Sequence, residues 1–187
     1  MAHLYLASGS PRRAELLTQL GVRFDVVLPN IPEQRLPNES PADYVSRLAL
    51  AKARAGEQLT AKDKAVLGSD TIVVQGDEVF EKPTDFTDAC RIWRLLSAKQ
   101  HLVLTAVALV WGDLEQVVLV QTEVEFAALS DSDMRDYWAS GEPQDKAGAY
   151  GIQGLGGQFV IAINGSYSAV VGLPLFQTKA LIDQYIQ

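Results

Sequence analysis

Two long runs of β-type residues, His101 to Trp111 and Gln116 to Phe126, meet at Gly112-Asp113 and read as a hairpin, which commits the chain to a sheet. What precedes the hairpin alternates. A short apolar strand from His3 to Ala7 breaks at Ser8-Gly9-Ser10 before a helix that begins at Pro11 and is ended by Gly21. A strand near Phe24 to Leu28 then runs into a proline-rich loop from Pro29 to Pro37. Ser40-Pro41-Ala42-Asp43 supplies an N-cap, a proline at the first helical position and an acid at N3 for a helix to about Gly56. Ala65 to Val74 reads as a strand interrupted by Gly68-Ser69-Asp70, and Gly76-Asp77 turns it back through Val79 and Phe80 to Glu81-Lys82-Pro83. A third helix, about Asp85 to Ser97, leads into the hairpin. Beyond it, Ser130 to Asp133 caps a helix to about Ser140, and a glycine-dense loop from Asp145 to Gly157 precedes a strand at Phe159 to Ile163. Asn164-Gly165 is a turn, and Pro174 starts the last helix. This order predicts an α/β protein with a mixed sheet.

Composition narrows the function classes. At 187 residues, 48% hydrophobic and 21% charged, the chain has the balance of one globular domain over residues 1–187. Sixteen Lys and Arg against 23 Asp and Glu leave a formal charge of -7, which repels a phosphate polymer, so nucleic-acid binding is not expected. The single cysteine, Cys90, lies among Ala89, Ile92, Trp93 and Leu96 at helical spacing and reads as a reduced core thiol. No apolar run approaches a membrane span, and the charges of the first residues follow a short strand rather than precede a signal core. A cytoplasmic protein without membrane attachment is expected.

With only His3 and His101, the sequence offers no zinc motif and little basis for a Ser-His-Asp triad. The P-loop and GxGxxG patterns are absent too. Chemistry therefore falls to carboxylates, Lys, Arg and a hard metal ion. The strongest local pattern is Ser8-Gly9-Ser10-Pro11-Arg12-Arg13, where arginines occupy the first helical turn. Cations there oppose the helix dipole, so a negative group is expected to compensate them. Backbone N–H groups, the Ser8 and Ser10 hydroxyls and the Arg12 and Arg13 guanidiniums would together cradle a polyphosphate. The plainer alternative is that Ser10 only caps the helix and the arginines are solvated.

Asp70 lies between the apolar runs Ala65-Val66-Leu67 and Ile72-Val73-Val74, and a carboxylate carried into a core needs a partner. Metal, lysine or backbone N–H can supply it, and such a carboxylate can hold a metal or take a proton from water; it can also be a structural turn residue. Lys82 is a candidate neighbour across the hairpin. A two-residue turn at Gly76-Asp77 would align Lys82 with Thr71, and a three-residue loop would set it diagonal to Asp70. Lys52 flanks the apolar stripe of Val45, Leu48 and Ala49, either as a snorkelling side chain or as a phosphate ligand. Glu33 stands in the proline-stiffened loop and by itself reads as surface. The stretch from Gly148 to Gly157 has five glycines in ten positions, which suits either close backbone approach to a ligand or a bend at a sheet edge.

SGSPRR, EQR at Glu33, Lys52, GSDT at Asp70, EKP at Lys82 and DKAGAYGIQG, in that order, resemble the Maf family of nucleotide pyrophosphatases over nearly the whole chain. The resemblance implies an α/β fold with an elongated mixed sheet and flanking helices, two lobes around a cleft, similar to the inosine-triphosphatase architecture. It also implies a homodimer. Arg12, Thr71 and Gln153 match the subgroup that acts on dTTP and UTP rather than the sister subgroup acting on 7-methyl-GTP. Asp70 falls at the position of the proton acceptor. The family's association with septum formation and cell-division arrest leaves a rival reading, a regulator that senses nucleotides without turning them over. Joined to the residue chemistry, the resemblance implies Mg²⁺ or Mn²⁺ on Asp70 and Glu33, with Arg12, Arg13, Lys52 and Lys82 offsetting the triphosphate charge.

Overall fold

A computed structural model describes residues 2–186. Its elements run β1 (His3–Ala7), α1 (Pro11–Gln19), β2 (Arg23–Val27), α2 (Pro41–Glu57), β3 (Val66–Gln75), β4 (Glu78–Phe80), α3 (Phe86–Leu96), β5 (Gln100–Trp111), β6 (Leu114–Phe126), α4 (Asp131–Ala139), β7 (Val160–Asn164), α5 (Tyr167–Val171) and α6 (Leu175–Tyr185). The strands form one seven-stranded sheet in the order β2-β1-β3-β5-β6-β7, with β4 also on β3. It is mixed, since β1 runs parallel to β2 and β3, whereas β4 on β3 and β7 on β6 are antiparallel. The expected α/β class with flanking helices is the one formed. No helix among the described residues is long and apolar enough to cross a membrane.

The caps read from sequence are made. Ser40 Oγ accepts the Asp43 N–H, and Ser130 with Asp133 forms a complete capping box; Asp85, not singled out in the sequence, also caps α3 by accepting the Asp88 N–H. Ser10 differs: it stands at the N-cap of α1 without a side-chain cap bond, so capping does not explain its place.

One expectation needs correction, one open alternative is decided, and one element was not foreseen. Gly68-Ser69-Asp70 does not interrupt the strand, because β3 continues through it with these residues buried. Gly68 serves packing instead of a break: a Cβ there would stand 2.4 Å from the Ala49 carbonyl oxygen and 2.7 Å from Ala53 N, so α2 lies directly on the strand. The β3-β4 turn is the two-residue one, with Gln75 opposite Glu78 and Val73 opposite Phe80. That register excludes the loop that would have set Lys82 diagonal to Asp70. Finally, Tyr167–Val171 forms the short helix α5, which the sequence reading did not pick out although Ser166 caps it, its Oγ accepting the Ala169 N–H at 3.2 Å.

The chain divides into two compact units, residues 1–70, 105–120 and 172–187 in the first and 71–104 and 121–171 in the second. In the first, Leu4, Leu6, Leu17, Tyr44, Leu48 and Leu67 are buried. Gly56 lets α2 close on the strands here as well, since its Cβ would lie 2.8 Å from Ala7 Cβ. Glu57, buried at the end of α2, accepts the Gly112 N–H at 2.8 Å, which ties the helix to the β5-β6 turn. In the second unit the core gathers Phe80, Trp93, Leu96, Phe126, Met134, Tyr137 and Phe159, and Cys90 is buried with them as expected.

Candidate active site

The first unit brings Glu33, Lys52 and Asp70 together. Gly68 sets α2 against β3, and this close approach delivers Lys52 to a residue two positions further along the strand. Lys52 Nζ donates to Asp70 Oδ1 at 2.6 Å and lies 3.0 Å from Glu33 Oε1. Asp70 is only 6% exposed. Burial pushes its carboxyl above the ordinary aspartate range, against the opposing pull of the Lys52 and Arg13 charges. The neighbour of Asp70 is thus Lys52 on the helix, and the snorkelling reading of Lys52 falls with it. Lys82 is exposed just beyond β4.

Glu33 owes its place to the same helix. Arg47 on α2 donates to Glu39 at 2.5 and 2.8 Å and to the Gln34 carbonyl at 2.9 Å, while Leu36 N–H binds Glu39 Oε2 at 2.9 Å. The proline-rich loop is therefore pinned to α2 on the residue that follows Glu33.

The start of α1 is built around Ser8 and Arg13. Ser8 Oγ accepts the Ser10 N–H and an Arg13 N–H, each at 3.2 Å. Arg13 Nε donates to the Gly172 carbonyl at 2.8 Å, and the Ser69 hydroxyl lies 3.0 Å from the same oxygen. Burial lowers the Arg13 guanidinium and the Asp70 charge opposes this, so it remains a cation. Arg12 is half-buried beside it, and the first turn of α1 contains no acid. The positive helix end thus carries added cations without a carboxylate on its own turn to balance them.

In the second unit, Thr71 is half-buried on β3, and Gln153 is exposed on the glycine-dense loop. That loop is more than a bend at a sheet edge. It folds as three short 3-10 turns, Glu142–Asp145, Ala147–Ala149 and Leu155–Phe159, around its own polar side chains. Gly148 meets β3 so closely that a Cβ would stand 2.7 Å from Val73 Cγ2, and its N–H binds the Glu81 carbonyl at 3.1 Å.

Among the described residues no cluster of three or more His, Cys, Asp or Glu side chains is placed to hold a metal. Glu33 and Asp70 nevertheless share one ammonium, which marks a position where a cation meets two carboxylates. Two protein carboxylates suit Mg²⁺ or Mn²⁺, which complete their shells with phosphate oxygens and water.

A family model described as Maf-like protein matches residues 3–185. The chain belongs to the Maf family. Among Maf relatives, a dTTP/UTP pyrophosphatase of Vibrio cholerae serotype O1 is 54% identical over 185 residues, covering 99% of either chain. One of the same description from Escherichia coli strain K12 is 57% identical over 187 residues, covering 99% of this Maf chain and 94% of its own. A solved nucleoside-triphosphatase / dITP/XTP pyrophosphatase from Mycobacterium abscessus aligns at 20% identity with TM-score 0.44, over 68% of this chain and 75% of that one.

Ser69 and Gly172 escaped the sequence reading of this Maf chain. Ser69 carried a usable signal, a polar residue inside an apolar run beside Asp70. Gly172 carried none, since its contribution is a carbonyl oxygen.

Proposed function

We propose that this chain hydrolyses dTTP and UTP between the α and β phosphates, releasing the nucleoside monophosphate and pyrophosphate. The observation that carries the reading is the Lys52–Asp70 pair at 2.6 Å, its carboxylate buried, beside the cationic start of α1. A sensor needs cations for phosphate but has no use for a desolvated carboxylate with a raised proton affinity; a hydrolase does. The dTTP/UTP pyrophosphatase relatives supply the substrate class.

In the proposed reaction Asp70 takes a proton from water, the oxygen of that water forms a bond to the α phosphorus, and the α–β anhydride bond breaks. Pyrophosphate leaves with the bonding electron pair. The raised proton affinity of Asp70 brings the base closer to neutral pH, where general-base transfer is most effective. Lys52 and Arg13 lie near that carboxylate and offset charge on the phosphates, with Arg12, Ser8 and Ser10 contributing to the same cradle. Lys82 is assigned to the triphosphate, Thr71 and Gln153 to the base, and Arg12 to the base as well as to the cradle. Glu33 and Asp70 would hold Mg²⁺ or Mn²⁺, which when bound neutralises phosphate charge. Homodimeric assembly belongs to the same reading and rests on the family resemblance, and a cytoplasmic location rests on the sequence pattern.

The test is a panel of nucleoside triphosphates with divalent metal, assayed for pyrophosphate, with the productive substrates repeated in ¹⁸O-water. Label in the monophosphate and none in pyrophosphate is expected. Orthophosphate as first product would make the chain a γ-phosphatase, and no turnover of any nucleotide would favour the sensor.

A further inference from the structure

Glu142 lies in a Gly-Glu-Pro turn that resembles a solvated loop, yet its carboxylate is the centre about which the glycine-dense segment folds. Its Oε1 accepts the Tyr137 hydroxyl at 2.7 Å and the Gly156 N–H at 3.0 Å, and its Oε2 accepts the Leu155 N–H at 2.7 Å. The Tyr137 oxygen in turn accepts the Gly151 N–H at 3.0 Å. These bonds grip the backbone on both sides of Gln153. The glycines are what permit the grip: a Cβ on Gly154 would stand 2.2 Å from Glu142 Oε2, and one on Gly156 would stand 2.4 Å from the Tyr137 oxygen. Lys146 closes the arrangement, donating to the Glu142 carbonyl at 2.6 Å while its stem lies where a Gly151 Cβ would be.

The electrostatics agree with the geometry. Burial alone would raise the Glu142 carboxyl, but the bonds from Gly156, Tyr137 and Leu155 outweigh it and hold the group below its ordinary range. Tyr137 is pushed the other way by burial and by Glu142, so it stays a donor. At neutral pH the carboxylate is charged and its acceptor sites are occupied by the loop's own donors.

We propose that Tyr137 and Glu142 are positioning residues for nucleobase discrimination, acting through Gln153. This rests on the reading above, in which Gln153 meets the base. A glutamine amide can satisfy the acceptor and donor pattern of uracil or thymine, and after flipping it can also satisfy cytosine. Discrimination requires that the amide start from one place, so that neighbouring donors penalise the wrong edge. A backbone clamped at Gly151, Leu155 and Gly156 provides this. A loosened loop lets the amide slide and turn to suit either base.

The experiment compares kcat/KM for UTP and CTP in wild type, Tyr137→Phe, Glu142→Gln, Gln153→Ala, and the double variants that combine either clamp change with Gln153→Ala. Each clamp variant is expected to narrow the UTP preference by roughly tenfold, the scale of one misplaced polar contact. In the Gln153→Ala background the clamp changes should alter the ratio no further, because their effect runs through that side chain. Should Gln153→Ala leave the ratio unchanged, base reading by Gln153 is wrong and the clamp's role falls with it. Should Gln153→Ala narrow the ratio while neither clamp variant does, only the clamp proposal is overturned. An equal loss on both substrates in the clamp variants overturns it as well, since it shows a merely structural role. Tyr137→Phe removes one hydroxyl and keeps both backbone bonds to Glu142, so it decides the matter if Glu142→Gln does not fold.

Discussion

The Lys52 ammonium on α2 donates to the Asp70 carboxylate on β3 at 2.6 Å, with only 12% and 8% of the two side chains exposed. Burial works against the Asp70 charge, and Lys52 is the largest influence opposing it. Lys52→Met should lower kcat by roughly 10²–10³-fold, as loss of a preorganised charge does. It also removes a pull that opposes burial, so the acid limb of the kcat/KM profile should move to higher pH. Stability should fall by up to about 3–5 kcal/mol in denaturant titration. An acid limb that stays in place would show that Asp70 is not the group titrating.

Asp70→Asn keeps the shape of the side chain and removes its basicity. Turnover should drop by roughly 10²–10⁴-fold, the usual contribution of a general base, while triphosphate binding measured by calorimetry persists. A near wild-type rate would take Asp70 out of the mechanism.

Gly68→Ala places a methyl group 2.4 Å from the Ala49 carbonyl oxygen, a backbone atom that can yield only if α2 moves. The expected cost is about 1–3 kcal/mol by urea denaturation, with kcat reduced because Lys52 travels with the helix. Unchanged stability and activity would mean that α2 is not held by this contact.

His101 is 3% exposed, its Nε2 is 2.9 Å from the Tyr150 hydroxyl, and burial lowers its pKa from 6.5 to about 4. The unfolded chain therefore binds a proton that the folded one refuses. His101's contribution to stability is complete above pH 6.5 and is lost as pH falls from there toward about 4, a span worth about 3 kcal/mol. His101→Gln, which cannot titrate, should flatten that part of the stability profile measured by denaturation at successive pH values.

Arg12 donates hydrogen bonds and never accepts them, so at the O4 position of a pyrimidine it favours uracil or thymine over cytosine. Arg12→Ala should narrow the preference for UTP and dTTP over CTP by roughly tenfold in kcat/KM. Equal losses on all three would assign Arg12 wholly to phosphate.

The parts of this molecule that could be read from sequence are those fixed by local chemistry. Ser40 with Asp43, Ser130 with Asp133 and the Gly112-Asp113 turn announce themselves because the residues that make the bond are neighbours in the chain. Asp70 stood out because a charge among apolar strand residues must be paired. Its partner did not, since choosing Lys52 over Lys82 required the helix packing that Gly68 permits. The same glycine misled locally, for absence of a side chain looks identical whether it serves a bend or a close approach. Glu142 was hidden for the converse reason: three donors that hold it come from Tyr137, Leu155 and Gly156, and nothing in Gly-Glu-Pro predicts them.

Arg13 finds its carbonyl seat at Gly172, 159 residues further along, and Ser69 shares that oxygen. A contact of such sequence separation is among the last that a growing chain can make, and loop closure delays it further. Strands and helices of the first unit can be assembled while translation continues. The Arg13 guanidinium, however, lacks its carbonyl tether until the segment after α5 has left the ribosome. A polypeptide cut short before Gly172 would thus hold its carboxylate and its lysine but an arginine tied only to Ser8, and catalytic competence would arrive with the Gly172 segment rather than gradually during synthesis.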